Sequence, residues 1–171
     1  MQARTDIRLT PTSYIVLGLL AAAGEATPYE LKQAVAASVG NFWSLQHAQL
    51  YTEPERLARA GYLSERREET GRRRKRYRLT ATGRAALREW LATPVPGVTE
   101  LRDVGLLQLF FGADPKALAE ARLPVHRAKL AEYEAAAELD LTPGQRSALD
   151  SGIGHEREWV RFWSRLARDD G

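Results

Sequence analysis

Residues 61–80 read GYLSERREETGRRRKRYRLT, and this stretch decides the fold. Polar and apolar residues alternate from Arg76 to Leu79, which is the period of a half-exposed strand. Turn-forming residues at 69–72 separate this strand from an earlier one that follows Tyr62-Leu63. The stretch therefore predicts a β-hairpin, and the five consecutive cations at 72–76 are predicted to lie at its tip.

Three helices are predicted ahead of this hairpin. Thr10-Pro11 and Thr27-Pro28 each place a capping residue before a proline at the first helical position. The third helix is predicted over residues 46–60 and includes Pro54, a residue that removes one backbone hydrogen bond. Thr80 then caps a fourth helix. Three helices followed by two strands is the order of a winged helix-turn-helix domain.

The second half of the chain differs in composition. Prolines and a glycine at 94–97 mark a joint, beyond which only helical patterns occur. Residues 1–91 hold 15 basic and 9 acidic residues, whereas residues 92–171 hold 10 basic and 13 acidic ones. We therefore expect a mainly α protein with two domains, a winged helix-turn-helix DNA-binding domain at 1–93 and an all-α domain for dimerisation and effector binding at 98–171.

The last predicted helix carries an apolar stripe. It starts at a capping box, Thr142-Pro143-Gly144-Gln145, and its apolar residues then recur at spacings of three and four. Such a stripe needs a partner surface, and a second copy of the chain provides one. The residues predicted to form the dimer interface are Leu149, Ile153, Val160, Trp163 and Leu166. Packing of this helix against its own chain is the alternative.

Composition excludes several classes of protein. The 171 residues are 44% hydrophobic and 27% charged, which is ordinary for a globular chain. Cysteine is absent, so disulfides and thiolate metal sites are excluded. No apolar stretch reaches the length of a membrane span, and the first ten residues lack the apolar core of a signal peptide. We expect a cytoplasmic protein with no membrane partner.

Catalytic and cofactor sites are not expected. The histidines at 47, 126 and 155 lack metal-ligand spacing. Trp159 stands where a zinc protease would need a histidine after His155-Glu156, and no glycine-rich phosphate loop occurs. The sequence therefore predicts no catalytic residue, no metal site and no cofactor.

The predicted third helix and hairpin suit DNA recognition. In a winged helix-turn-helix the third helix enters the major groove, and a cationic hairpin contacts phosphates. Glutamine pairs with adenine and arginine with guanine, and residues near the helix start reach the base edges. The candidate base contacts are therefore Gln46, His47 and Gln49, and the candidate phosphate contacts are Arg72, Arg73, Arg74, Lys75 and Arg76. The carboxylates of Glu53 and Glu55 would repel phosphate, so both side chains are expected to face away from the DNA. An inward-facing histidine and a merely solvated charged turn are the alternatives.

Several segments together resemble the PadR family of transcriptional regulators. They are Ile15–Leu20, Tyr29–Lys32, Phe42–Ser44, Leu50-Tyr51, Gly61–Leu63, residues 71–80 and Gly83-Arg84, followed in the rear half by Leu101–Asp103 and Leu109–Phe111. Each piece is short, but their order and spacing are specific to the family. The chain departs from the family pattern at Thr52, where proline often stands, and at Pro28, where glycine is usual.

The resemblance implies a homodimeric repressor that binds a roughly palindromic operator in double-stranded DNA and responds to a small, often aromatic or phenolic, effector. It also implies that Tyr51 approaches the DNA backbone, flanked by Tyr29 and Lys32. Trp43 and Trp90 are candidate effector contacts, because flat aromatic rings stack on planar ligands. Packing in the core or at the dimer interface is the alternative for both tryptophans. A winged-helix adaptor that binds another protein in place of DNA is the alternative function.

Overall fold

The computed structural model describes residues 7–69 and 73–168 of the chain. They belong to two compact units, Met1–Gly97 and Val98–Gly171. The helices of the described residues are α1 (Pro11–Ala23), α2 (Pro28–Ala36), α3 (Gln49–Arg59), α4 (Ala81–Ala92), α5 (Val104–Phe110), α6 (Pro115–Ala136) and α7 (Pro143–Leu166), with a 3-10 helix at Val39–Asn41. The strands are β1 (Glu25–Ala26), β2 (Leu63–Arg67) and β3 (Lys75–Leu79). Within these two described ranges, no helix is both long enough and apolar enough to cross a bilayer.

Three helices begin with the same local device. At the starts of α1, α2 and α7, a threonine side chain accepts a hydrogen bond from the backbone N–H three residues later. The side chain of that later residue accepts a hydrogen bond from the backbone N–H of the threonine, which completes a capping box. The pairs are Thr10 with Ser13, Thr27 with Glu30, and Thr142 with Gln145. The predicted starts of these three helices are confirmed.

Three antiparallel strands form one small sheet in the first unit. β3 is central, in the order β1-β3-β2, with Leu63 opposite Leu79 and Ala26 opposite Tyr77. The predicted hairpin of β2 and β3 is confirmed. β1 was not predicted from the sequence, because two residues are too few to show a strand period.

The core of the first unit is built around α1. Val16 and Leu20 of α1 are buried, and α1 packs against both α3 and α4. Leu50 and Leu57 bring α3 into the same hydrophobic cluster, and the ring of Tyr77 brings in β3. One core therefore holds α3 and the β2–β3 hairpin in fixed places.

The start of α3 differs from the predicted one. The helix begins at Gln49 rather than at residue 46, and the residues before it form a turn. Ala48 occupies the N-cap and has no side-chain oxygen to satisfy the first backbone N–H groups, so no side-chain cap marks this boundary. α3 runs without interruption through Pro54, which is fully buried.

The second unit consists of α5, α6 and α7. α6 and α7 pack along each other, and Trp163 is fully buried in a cluster with Ala119 and Leu123. The guanidinium of Arg122 lies 5.2 Å from the centre of the Trp163 ring. Of the predicted dimer residues, Trp163 and Ile153 are buried within the single chain, so packing on the chain itself is correct for these two. The other three, Leu149, Val160 and Leu166, are half-buried.

Candidate nucleic-acid interface

The segment leading into α3 presents polar side chains to solvent. Gln46 and His47 lie before the helix, Gln49 is its first residue, and all three are exposed. The backbone N–H of Gln49 donates to the carbonyl of Gln46 at 2.9 Å, and that of Leu50 donates to the carbonyl of His47 at 3.2 Å. The structure thus brings the three candidate base contacts together, and the alternative of an inward-facing His47 is wrong.

Two exposed tyrosines lie on α2 and α3. The exposed fraction is 52% for Tyr29 and 46% for Tyr51. The hydroxyl of Tyr29 accepts a hydrogen bond of 3.1 Å from Nε2 of Gln33. Lys32 is half-buried and follows Tyr29 by three residues, which places both on one face of α2. Because α2 and α3 pack against each other, these side chains lie on neighbouring elements.

The inner side of α3 carries a buried carboxylate. Glu53 is 9% exposed, and its Oε1 accepts hydrogen bonds from Ser13 Oγ at 2.6 Å and from Arg56 Nη2 at 2.7 Å. Arg56 Nε donates to the second carboxylate oxygen at 2.8 Å. Burial raises the pKa of Glu53, but the hydrogen bonds from Arg56 and Ser13 outweigh it, so the pKa lies below its ordinary value.

The carboxylate of Glu53 fixes the position of the Arg56 guanidinium. The guanidinium also reaches Ser13 Oγ at 3.0 Å and the backbone carbonyl of Arg8 at 3.3 Å, so it binds α1 and the chain before α1. The sequence analysis missed the network because Ser13 and Glu53 are 40 positions apart and no local pattern links them.

The wing, defined as residues 63–79, ends in exposed cations. Arg73 and Arg74 are both exposed, and Arg73 has a φ of 49°, in the left-handed region typical of tight turns. The Nε of Arg74 lies 3.3 Å from Oε2 of Glu68, and the Glu68 backbone N–H donates to the Arg74 carbonyl at 3.0 Å. Arg72, predicted as a third cation here, lies outside the described residues.

Lys75 is not at the tip of the wing, contrary to prediction, but in β3. Its Nζ donates to Oε1 of Glu55 on α3 at 2.6 Å and lies 3.5 Å from Oε2 of Glu65 on β2. This hydrogen bond lowers the pKa of Glu55 and raises the pKa of Lys75. The ion pair with Lys75 gives a physical reason for the expectation that Glu55 faces away from phosphate.

Arg76 is likewise a strand residue bound to carboxylates rather than a tip residue. Its Nε donates to Oε1 of Glu25 on β1 at 2.6 Å, and its Nη1 donates to Oε1 of Glu68 at 3.4 Å. Its Nη2 lies 3.5 Å from Oε2 of Glu30 on α2. The hydrogen bond to Glu25 raises the pKa of Arg76, which stays fully charged. Three carboxylates therefore surround this guanidinium.

Two further cations on the strands were not singled out from the sequence. Arg67 and Arg78 are exposed, and neither forms an ion pair within the part of the chain that the structure describes. Tyr77 and Leu79 on either side of Arg78 are buried, so strand alternation directs the arginine outward. That alternation was visible in the sequence and would have identified Arg78.

A cleft of about 620 Å³ lies beside α1 and α4 in the first unit. The rings of Tyr14 and Trp90 stack along it, with centroids 4.6 Å apart and planes 8° from parallel. The polar side chains of Thr82 and Glu89 also line this cleft. Trp43, the other candidate effector residue, is 43% exposed and is not among the lining residues, so the structure does not bring the two tryptophans into this site.

The family model described as "Transcriptional regulator PadR-like family" matches residues 16–89, from α1 to α4. The chain therefore contains a PadR-like domain over these residues. The matched residues of this PadR-like regulator contain α3 and the whole wing, so the family resemblance covers the elements that present the exposed cations and glutamines.

Known relatives extend the similarity of the PadR-like regulator beyond that domain. It is 29% identical over 150 residues to the "Negative transcriptional regulator PadR" of Bacillus subtilis (strain 168), covering 83% of this chain and 82% of the relative. The crystal structure of Bacillus subtilis PadR in complex with operator DNA matches with a TM-score of 0.80 and 26% identity over 95% of this chain and 99% of that one. The same relative in complex with p-coumaric acid matches with a TM-score of 0.74 and 25% identity, over 96% and 99%. A PadR-like regulator from Bacillus cereus, 22% identical with a TM-score of 0.79 over 92% and 96%, shares the fold.

Proposed function

We propose that this PadR-like regulator is a repressor that binds a palindromic operator in double-stranded DNA as a homodimer, and that a small aromatic or phenolic effector releases it. The observation that carries the proposal is the similarity, over 95% of this chain, to Bacillus subtilis PadR bound to operator DNA. The similarity to the same relative bound to p-coumaric acid supports the effector.

The proposed DNA contacts follow from exposure and chemistry. Gln46, His47 and Gln49 enter the major groove, where a glutamine amide can pair with adenine through two hydrogen bonds. Tyr29, Lys32 and Tyr51 contact the DNA backbone beside them, and Arg72, Arg73 and Arg74 contact phosphates at the wing tip. Support comes from the exposed positions of Gln49 and Arg73 at the start of α3 and at the end of the wing.

We propose that residues 1–93 bind DNA and that residues 98–171 form the dimerisation domain, whereas the effector site proposed below lies in the first unit. α5 supports a partner surface, because its residues Val104, Leu107 and Phe110 and the adjacent Phe111 are all exposed large apolar side chains. The half-buried residues Leu149, Val160 and Leu166 of α7 are the remaining candidates for this interface. A two-fold dimer matches a palindromic operator, because each copy occupies one half-site.

Binding rather than catalysis is the proposed activity, without a cofactor and in the cytoplasm. An effector acts by changing the separation of the two α3 helices in the dimer, which shifts the population between states that fit the operator and states that do not. The cleft beside Tyr14 and Trp90 is the proposed effector site, because it offers a stacked aromatic wall together with polar groups.

Selection from a random pool of duplex DNA by the purified protein, followed by sequencing, tests the DNA-binding proposal. We expect an enriched inverted repeat with half-sites about one helical turn apart. Gln49→Ala should weaken binding to this repeat by about 1–3 kcal/mol and relax the preference at one base position. Glu120→Ala, at an exposed position of α6, is the control. A folded dimer that enriches no sequence would contradict the proposal and favour the protein-binding adaptor.

Titration of p-coumaric acid into the complex of the protein with its enriched duplex tests the effector proposal. We expect the acid to release the DNA from the wild type. Trp90→Leu should remove this response because it removes the stacked wall, whereas Trp43→Leu should keep it. Loss of the response with Trp43→Leu alone would move the site away from the cleft, and release in neither wild type nor variants would exclude phenolic acids of this kind.

A further inference from the structure

Lys75 links the wing to α3 through charged groups. Its Nζ lies 2.6 Å from Oε1 of Glu55 on α3 and 3.5 Å from Oε2 of Glu65 on β2. The hydroxyl of Tyr77 donates to that same Oε2 of Glu65 at 3.1 Å, and the Tyr77 residue is fully buried. A continuous chain of polar contacts therefore runs from α3 across the wing and ends on a side chain that the core holds in place.

Strand alternation sends the next cation to the other face of the sheet. Arg76 donates to Glu25 of β1 at 2.6 Å and lies 3.5 Å from Glu30 of α2. The wing is thus joined to α3 on one face and to β1 and α2 on the other. Its angle to α3 is held by ion pairs as well as by the apolar core.

We propose that Glu55 and Lys75 are a positioning pair that sets the distance between α3 and the wing, so that base contacts and phosphate contacts form at the same time. The proposal rests on the DNA-binding function proposed above. In the proposed arrangement, Lys75 acts through Glu55 and does not contact a phosphate. Tight binding to one sequence needs both elements in register, whereas binding to arbitrary DNA needs only positive charge.

The mutual hydrogen bond explains why the pair persists near neutral pH. It holds the pKa of Glu55 below and the pKa of Lys75 above their ordinary values, which widens the pH range over which both groups are charged on either side of neutrality. Glu55 is only partly exposed, and Lys75 is half-buried beneath the wing. A partly exposed ion pair contributes little to overall stability, so its removal is expected to leave the fold intact.

Charge reversal in the full-length protein tests the proposal. The variants are Glu55→Lys, Lys75→Glu and the double variant, each made in a Glu65→Gln background so that the reversed residue 75 does not face a second carboxylate. The probes are the duplex enriched by the wild type and a scrambled duplex of equal length. Each single reversal should lower the ratio of the two affinities by about two- to fivefold, and the double variant should recover it. Lys75→Gln should leave the dependence of binding on salt unchanged, because a lost phosphate contact would lower that slope by about 0.9.

The direction in which Glu55→Lys changes the affinity for DNA distinguishes a positioning role from a simple effect of net charge. Glu55→Lys adds positive charge beside DNA, so an increase in affinity for the enriched duplex would overturn the proposal, as would a double variant that fails to recover. A smaller salt slope for Lys75→Gln would make Lys75 a phosphate contact. The matched control is the reversal of the exposed pair Glu158 and Arg161 on α7, which should change nothing. A wild-type protein that prefers no DNA sequence would overturn the proposed function itself. Sequence-specific binding by the wild type that the charge reversals leave unchanged would overturn only the positioning role of the pair.

Discussion

Ser13 Oγ donates a hydrogen bond of 2.6 Å to Oε1 of Glu53, a residue 40 positions later in the chain. Ser13 Oγ also accepts hydrogen bonds from the backbone N–H of Thr10 at 2.8 Å and from Nη2 of Arg56 at 3.0 Å. One donor and two lone pairs are thereby all used. This hydroxyl belongs to the capping box of α1 and also holds α3 against α1.

Ser13→Ala should destabilise the protein, because it removes a hydrogen bond to a buried carboxylate and half of a capping box. We expect a loss of about 1.5–3 kcal/mol in the free energy of unfolding, measured by urea denaturation at one fixed protein concentration. Ser44→Ala, at an exposed position, is the control and should change the value by less than about 0.5 kcal/mol. Equal effects of the two substitutions would contradict this role of Ser13.

Acid should remove the contribution of Glu53 to stability. Because its pKa in the folded protein lies below the ordinary value of 4.5, the carboxylate stabilises the fold above that pH and loses this effect as the pH falls through the folded pKa. As the pH falls below the ordinary value of 4.5 and through the lower folded pKa, wild type should therefore lose stability more steeply than Glu53→Gln. Urea denaturation of both proteins across this range measures the difference, and parallel curves would show that Glu53 does not contribute.

Removal of the wing-tip cations should weaken binding to every DNA sequence. In the triple variant of Arg72, Arg73 and Arg74 to alanine, each lost phosphate contact should reduce the slope of log affinity against log salt by about 0.9. Fluorescence anisotropy of a labelled duplex at several salt concentrations measures the affinity and this slope.

The control for the wing-tip variant removes three arginines far from the wing in sequence. Arg146, Arg157 and Arg161 are exposed residues of α7, and their replacement by alanine changes the net charge by the same amount. An unchanged slope in the wing variant, or an equal reduction in the control, would remove the wing tip from the set of DNA contacts.

Gly83→Ala should destabilise the first turn of α4. A Cβ at this position would lie 2.2 Å from the backbone oxygen of Tyr62, so the helix or the chain beneath it must move. We expect a loss of about 1–3 kcal/mol in thermal or urea unfolding. Gly144→Ala, in the first turn of α7 with open space around the position, should instead be neutral or stabilising by up to about 1 kcal/mol. A tolerated Gly83→Ala would show that this close approach is not needed.

Local patterns sufficed to predict much of the fold. Thr10, Thr27 and Thr142 each stand before a proline, and the residues that complete these capping boxes lie only three positions away. The alternation before Leu79 predicted β3, because the side chains of a half-buried strand alternate between solvent and core. Features whose partners are near in sequence were therefore predictable.

Features that depend on distant residues were not predicted. β1 forms only because β3 supplies its hydrogen-bonding partner, and two residues carry no periodic signal. Lys75 and Arg76 continue a run of cations in the sequence, but their carboxylate partners Glu55 and Glu25 lie 20 and 51 positions away. The start of α3 was placed too early, because Gln46, His47 and Ala48 suit an exposed helical turn as well as a loop, and no capping side chain marks Gln49 as the first residue.

The pairing of Lys75 and Arg76 with carboxylates also shapes the electric field of the first unit. Carboxylates offset these two charges close to α2 and α3, and Glu68 pairs with Arg74, whereas Arg73 is exposed at the far end of the hairpin. A polyanion is therefore attracted first toward the end of the wing, and the attraction acts over distances where no contact has formed. Under the proposed function, encounter with DNA begins at the wing tip, and the side chains at the start of α3 contact the bases only after the complex is already oriented.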